Sequence, residues 1–501
     1  MKIINTAEVV PTKLNAQERE WVYNGMDACL TAEILDVLLP QLDNATGATY
    51  AFSRSLQGPV LEMRCRGVLI DQERKAEVID EYYGKLDILS ENLENMCGHA
   101  WDMYDFNWRP NSKDLVELFY NRMCIPPIRK RGRPTCDRAA LEKIGDYFIA
   151  KQIVAHIILA RDLFKKIQML QTEIDHDGRM RTSYNIAGTD TGRLSSSFSE
   201  FGTGTNLQNI EESLRSVFIA DRGYKLAYLD AEQGESRCVG AIEWNLLGDA
   251  RYLDACEGGD LHTTVAKLVW PRDLPWTGDT RTDRKLAEQP YYRHYDRRFM
   301  CKKIGHGTNY GGKPATLAAQ AKVDIKLIED FQPKYFRAFP AHLRWHERVR
   351  RTLTGDGYLV TLTGRKRWFM GKRNDDHTIR QAIAYDPQGS LADILNNGML
   401  NVWRARDCQV LMQIHDAILI QYPEHEEDKI VGLVRKQLEF PISLANNRVL
   451  TIPYGVKTGW NWGAYDETTN PDGLKTYRPG DKRKRSAPVP ILDRVIRRVY
   501  R

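Results

Sequence analysis

Two aspartates of this chain end apolar runs. Asp230 closes KLAYLD, a short and mostly apolar strand candidate, and Asp416 stands in the polar pair between CQVLMQI and AILIQYP. Those two runs read as the arms of a β-hairpin. An ionised aspartate is rarely buried unless it is paired or holds a metal. Carboxylates on adjoining strand ends would hold hard cations through oxygen, which suits Mg2+. Two such ions about 4 Å apart activate an attacking hydroxyl and stabilise the leaving oxygen of a phosphoryl transfer. Either aspartate alone reads more simply as a turn former or a cap.

A third group changes that reading. Arg298, Lys302, His306 and Tyr310 recur every four residues in DRRFMCKKIGHGTNYGG. On an α-helix four residues advance about 400°, so these side chains drift by about 40° per step along one broad face, about 18 Å from end to end. An extended nucleoside triphosphate has a similar length: Arg and Lys would meet phosphates, His the sugar and Tyr the base. Cations there would stabilise charge developing on a leaving pyrophosphate. A basic, solvated helix face is the simpler alternative. Against it stand Gly305 and Gly307, each costing about 1 kcal/mol inside a helix. They flank the sugar position, where a ligand would approach the backbone closely.

The elements that must position these groups follow from apolar spacing. Residues 17–40 read as a helix ending at Pro40, and 72–96 as a second helix. Residues 108–137 read as loop-rich and basic around RKRGRPT, a pattern that fits a minor-groove hook but more often a solvated loop. Helices are expected over 138–173 and 380–406 and to dominate 284–351, and KLAYLD runs into a helical pattern through about 246. GYLVTLTGRKRWF reads as strand, turn and basic strand. No internal repeat is found.

Composition sets only broad bounds. With 42% hydrophobic and 28% charged residues, the 501-residue chain has an ordinary globular composition. A net charge of +6 points only weakly to nucleic acid. Nine cysteines without a CxxC pair argue against a disulfide framework or zinc site and for a reducing, cytoplasmic setting. No apolar run approaches the roughly 20 residues needed to cross a bilayer. The N-terminal MKIINTAEVVPTK lacks the apolar core of a signal peptide. No membrane partner is expected.

Six blocks, in order, carry a resemblance. They are TGRLSSS (191–197) with NLQNI (206–210), DAEQGESR (230–237), DLHTTVAKLVW (260–270), RFMCKKIGHGTNYG (298–311), RQAIAYDPQGSLAD (380–393) and QIHDA (413–417). Over about residues 50–465 the chain resembles the family A, or DNA polymerase I type, DNA polymerases. The resemblance implies a mixed α+β fold, a right hand with helical thumb and fingers. The thumb would occupy 50–170, the palm 171–240 and 355–475, and the fingers 241–354. Residues 1–49 would be a remnant of an exonuclease junction and 476–501 a basic tail.

The same resemblance implies roles residue by residue. Asp230 and Asp416 would bind two Mg2+ ions, with the Ala231 carbonyl as a further ligand. Lys302 would contact phosphates and protonate pyrophosphate, with Arg298 and His262 also at the phosphates. Glu235 would reject a 2′-hydroxyl, Gln233 would line the same pocket, His306 would lie at the sugar and Tyr310 would close over the templating pair. Arg193, Asn206, Gln208, Asn209, Arg365, Arg380, Gln388 and His415 would hold primer, template or minor-groove edges. Minor-groove acceptors are common to all correct base pairs, so such donors check shape without reading sequence. The implied partners are primer-template DNA and deoxynucleoside triphosphates.

Departures from the family pattern are equally specific. His306 replaces a Phe or Tyr, Gly234 a bulky Ile, Ala417 the second carboxylate of its block and Ala384 an Asn. None removes a metal ligand. YNGMD (23–27) resembles the last exonuclease motif, yet no Asp precedes Asp27, and Glu18 and Glu20 read as a helical surface pair. Proofreading is therefore expected to be lost or supplied by another polypeptide, as in a compact, bacteriophage-like enzyme. Two other readings were a single-subunit RNA polymerase and an inactive DNA-binding accessory subunit. Glu235 with the upstream TGRLSS and NLQNI blocks opposes the first, and retention of Asp230, Asp416 and Lys302 opposes the second. In the tail, KRKR (482–485) precedes a segment in which Ile491, Leu492, Val495, Ile496, Val499 and Tyr500 have helical spacing. That segment would pack on the palm, dock on a helicase, processivity factor or separate exonuclease, or bind DNA.

Overall fold

The apolar run that ends in Asp230 becomes the middle of a sheet. In the computed structural model, which describes residues 13–98, 113–293, 295–481 and 483–485, it is strand β3, Tyr224–Ala231. It follows the hairpin β1 (Thr182–Asn185) and β2 (Ser195–Phe198). Strands β4 (Gln409–Ile414), β5 (Ala417–Pro423), β6 (Tyr454–Gly459) and β7 (Lys475–Thr476) complete a five-stranded sheet in the order β4-β5-β3-β6-β7. All its pairings are antiparallel. All of β5 except Pro423 is buried, as expected of a strand with neighbours on both edges and protein on both faces. That is why AILIQY reads as a continuous apolar run broken only by Gln421.

By backbone contacts the chain divides into two units, residues 58–234 with 391–501, and residues 1–57 with 235–390. The sheet belongs to the first. Its core joins Leu226, Met412, Ile414 and Leu419 to the long helices Gln72–Cys97 and Lys151–Gln171, through Leu86, Leu93, Ile157 and Ile167. The helix expected over 138–173 is two, Arg138–Ile144 and Lys151–Gln171. The loop expected from 108 is corrected over residues 113–122: Leu115, Leu118 and Phe119 bury one side of a helical segment there. RKRGRPT forms a short hairpin, Arg129–Lys130 paired with Arg133–Pro134, whose turn has Arg131 and Gly132 at φ 50° and 79°. Residues 108–112 lie outside the described residues.

The second unit is mostly helical. Its helices include α1 (Ala16–Leu38), α2 (Gly234–Leu247), α3 (Arg251–Glu257), α4 (Leu261–Val269), α5 (Arg297–Asn309), α6 (Pro314–Ala321), α7 (Ile325–Ala338), α8 (Ala341–Gly355) and α9 (Asp376–Ala405), the last running on past Ser390. Their core centres on Trp270, Phe331, Tyr335, Phe339 and Trp345. Helices dominate 284–351 as expected, interrupted by a short hairpin, Pro290–Tyr292 with Tyr295–Asp296. GYLVTLTGRKRWF forms the expected pair of strands, Tyr358–Val360 and Lys366–Trp368. Helix α1 starts on a capping box made by Asn15 and Glu18, and none of its residues is buried.

Candidate active site

Register brings the two aspartates together at one end of the central strands. Asp230 of β3 faces Ala417 of β5 on one side and Gly455 of β6 on the other, so Asp416 lies one residue beyond the pairing. The Ala231 amide donates to the Asp416 carbonyl at 3.1 Å, which closes the corner. Both turns carrying these carboxylates use left-handed backbone at residues other than glycine, His415 at φ 49° and Gln233 at φ 58°. Such positions cost on the order of 1–2 kcal/mol each and cluster at functional sites. Burial and the charge of Asp416 push the Asp230 pKa up, although solvent reaches the side chain. A dication between hard oxygen donors would relieve that repulsion, so Asp230 and Asp416 fit Mg2+. Among the described residues no three His, Cys, Asp or Glu side chains converge, leaving the other positions around such an ion to backbone, substrate and water oxygens.

Several residues expected at DNA are engaged within this unit. Arg193 donates to Asp416 Oδ1 at 3.0 Å, a contact that spacing in the sequence does not reveal. Gln208 is nearly buried, donating to Gln413 Oε1 at 2.8 Å and to the Leu194 carbonyl at 3.2 Å. Asn206 caps the short turn that follows it and bonds Ser196 through both ends of its amide. Asn209 and His415 are exposed, and Gln233 is half-buried. Gln413, quoted above only as part of its block, also donates to the His415 carbonyl at 2.6 Å and holds the turn before Asp416. A glutamine inside an apolar strand was the available signal. Gly234 has a packing cause, since a Cβ there would lie 2.6 Å from Leu391 Cδ1.

In the other unit α5 carries the cationic face. Asp296 starts the helix by accepting from the Phe299 amide at 2.6 Å. Lys302 and His306 are exposed, while Arg298 and Tyr310 are half-buried. Arg298 donates to Asp260 Oδ2 at 2.8 Å, and Asp260 also caps α4, so one carboxylate aims the arginine and starts the helix bearing His262. Burial, reinforced by Arg298, lowers the His262 pKa to about 4; near pH 7 it is a neutral hydrogen-bonding group and not a cation. Tyr310 donates to Glu235 Oε2 at 2.5 Å, and His306 Nε2 lies 3.6 Å from the same oxygen. Burial and the Glu235 charge hold the Tyr310 phenol well above its usual range. The expectation that Gly305 and Gly307 clear room for a ligand is corrected. A Cβ on Gly307 would lie 2.4 Å from Leu317 Cδ2, and one on Gly305 3.4 Å from Tyr335 Cε2, so the glycines admit α6 and α7.

The remaining expected contacts sit on or beside α9. Arg380 pairs with Asp376 one turn earlier. Arg365 lies in the turn between the two basic strands, where its carbonyl accepts from the Tyr385 hydroxyl at 3.0 Å. Gln388 is half-buried on the helix. Two residues before it, Asp386 accepts from the Leu362 amide at 2.8 Å and from the Ser390 hydroxyl at 3.0 Å. Burial pushes its pKa up to about 6.

Comparison with known proteins bears on the family and the fold. The chain is 26% identical over 463 residues to the thermostable DNA polymerase I of Thermus filiformis, covering 86% of this chain and 50% of that protein. It is 27% identical over 473 residues to DNA polymerase I of Pseudomonas aeruginosa, covering 89% and 48%. The chain thus spans about half the length of the curated relatives it matches. A solved structure, the polymerase domain of Pol1 from M. smegmatis in complex with DNA primer-template and dNTP, superposes with a TM-score of 0.65 at 24% identity, over 81% of this chain and 69% of that one. The mixed helix and strand fold is therefore that of a polymerase domain. The model of DNA polymerase family A matches residues 75–464, a range that contains both aspartates, the α5 cations and all six sequence blocks, and the chain belongs to that family.

Proposed function

We propose that the chain is a primer-dependent, template-directed DNA polymerase that adds deoxynucleotides to a primer 3′-hydroxyl and releases pyrophosphate. The observation that carries this reading is the pairing of Ala417 with Asp230, which sets Asp416 beside Asp230 at one end of the central strands. Asp230 and Asp416, with the Ala231 carbonyl, would hold two Mg2+ ions, whose chemistry is to activate the primer hydroxyl and stabilise the leaving oxygen. Lys302 and Arg298 bind the triphosphate, and Lys302 delivers a proton to pyrophosphate. Neutral His262 donates to a phosphate oxygen. Glu235, fixed by Tyr310, blocks a 2′-hydroxyl beside Gln233, and His306 meets the sugar. Arg193 orients Asp416 until the metals bind. Asn206, Gln208, Asn209, Arg365, Arg380, Gln388 and His415 serve the duplex, Asn206 and Gln208 mainly by bracing the loop through their internal bonds.

In this reading residues 50–170 are the thumb, 171–240 and 355–475 the palm, and 241–354 the fingers. The work is replicative synthesis in a cytoplasm, in a bacteriophage-like enzyme without proofreading in this chain. Asp27 stands on α1, which buries none of its residues, whereas a nuclease site needs several converging carboxylates. No described helix is long and apolar enough to cross a membrane. The tail segment with helical spacing, within 486–501, lies outside the described residues, as does Lys482. A primer-extension assay with deoxynucleotides, with ribonucleotides and without primer tests the reading. Extension only with primer and deoxynucleotides supports it; equal use of ribonucleotides without a primer indicates an RNA polymerase, and no incorporation indicates an accessory subunit.

A further inference from the structure

Behind the cationic face of α5 lies a buried polar cluster. Asn309, the last residue of α5, is 1% exposed and is held by side chains from four other positions. Tyr335 of α7 donates to its Oδ1 at 2.6 Å, and His342 Nε2 of α8 lies 2.8 Å from the same oxygen. Its Nδ2 donates to the Tyr252 hydroxyl of α3 at 2.7 Å, and its carbonyl takes His346 Nε2 at 2.7 Å. His342 Nδ1 lies 2.5 Å from Glu243 Oε1 of α2, and both side chains are at most 1% exposed.

Hydrogen bonds from several helices orient the cluster. Burial pushes the Glu243 pKa up, and His342 beside it opposes that shift. In its Nε2–H tautomer His342 donates to Asn309 Oδ1. In this arrangement the Asn309 amide accepts twice through oxygen and donates through nitrogen, using both ends of its side chain. A buried carboxylate–imidazole pair gives little net stability compared with apolar side chains of the same size. What it gives is one fixed geometry. That geometry sits immediately before Tyr310, whose hydroxyl meets Glu235, and Tyr335 also lies against Gly305, next to His306.

We propose that Asn309, locked by Tyr252, Tyr335 and the Glu243–His342 pair, is a positioning residue that sets Tyr310 and the nucleotide-facing side of α5. The inference rests on the polymerase reading above. Asn309→Leu keeps the volume and removes the bonds, and Tyr335→Phe removes one hydroxyl while keeping the ring against Gly305. Single-nucleotide insertion by each variant should show a five- to tenfold rise in KM for the deoxynucleotide, a smaller fall in kcat, and a severalfold loss of preference for deoxy over ribo substrates. Primer-template affinity should be unchanged. Hydrogen–deuterium exchange should be at least tenfold faster across residues 305–312 in either variant.

Wild-type KM, sugar preference and exchange in a folded Tyr335→Phe protein overturn the proposal, and that variant decides alone where Asn309→Leu does not fold. Altered exchange with unaltered KM and sugar preference makes the cluster merely structural and also overturns it. A wild-type chain that incorporates nothing sinks the polymerase reading instead. Exchange protection of 305–312 that is the same in wild type and variants then overturns the positioning role independently.

Discussion

Asp230 and Asp416 illustrate how far residue type and spacing reach. Each alone reads as a turn former or a cap, and it is strand register that makes them neighbours. Asp230→Asn or Asp416→Asn is expected to lower single-nucleotide insertion by on the order of a thousandfold or more, about 4 kcal/mol in barrier, with primer-template affinity within severalfold of wild type. Near-normal turnover in either variant removes the metal assignment. Arg193 and Asp260 were not legible in their pairing roles, because each contact joins segments far apart in sequence.

A second prediction at this scale concerns Asp386. Its folded pKa of about 6 lies above the ordinary aspartate value near 3.9. The protonated form thus favours the fold below about pH 4, and that contribution is lost as pH rises through 6. By pH 7.5 ionisation destabilises the folded chain by on the order of 3 kcal/mol. Asp386→Asn keeps an oxygen for the Leu362 amide and should unfold at higher urea than wild type at pH 7.5, with the difference vanishing near pH 4. A variant less stable at pH 7.5 contradicts the sign.

At the scale of elements, strands of the central sheet were readable because burial on both faces leaves an unbroken apolar run. The hairpin at 290–296 was not, because each of its strands is only two or three residues long and rich in tyrosine, too short for alternation to register. The helical turns at 113–122 were obscured by the basic residues that follow them. Loop geometry offers a sharp test. Gly204, at φ 71°, precedes the Asn206–Asn209 turn, and a Cβ there would lie 2.0 Å from the Arg181 carbonyl oxygen. Gly204→Ala is expected to cost at least about 2 kcal/mol, visible as a Tm several degrees lower. An unchanged Tm would mean that the loop is free to move away.

For the whole molecule, the modest net charge conceals local concentration. Arg129, Lys130, Arg131 and Arg133 stand exposed on one hairpin. Primer-template binding should weaken steeply with salt, and Arg131→Ala or Arg133→Ala should each lower the slope of log affinity against log salt by about 1. A slope that neither substitution changes puts the duplex elsewhere. A further expectation is that purified chain leaves a mismatched primer terminus intact in Mg2+. A 3′→5′ activity lost on Asp27→Ala would contradict it.

Helix α1 bears on how the protein behaves in a tube. Trp21, Tyr23, Met26, Leu30, Ile34, Val37 and Leu38 are all exposed on it, among five carboxylates and one arginine. At low ionic strength, like-charge repulsion keeps such surfaces apart. Salt screens that repulsion while leaving the attraction between apolar faces. Ionic strength is therefore expected to act on this chain in opposite senses: salt that loosens the proposed hold on nucleic acid should favour adhesion between copies, and light scattering that does not rise with salt would contradict this.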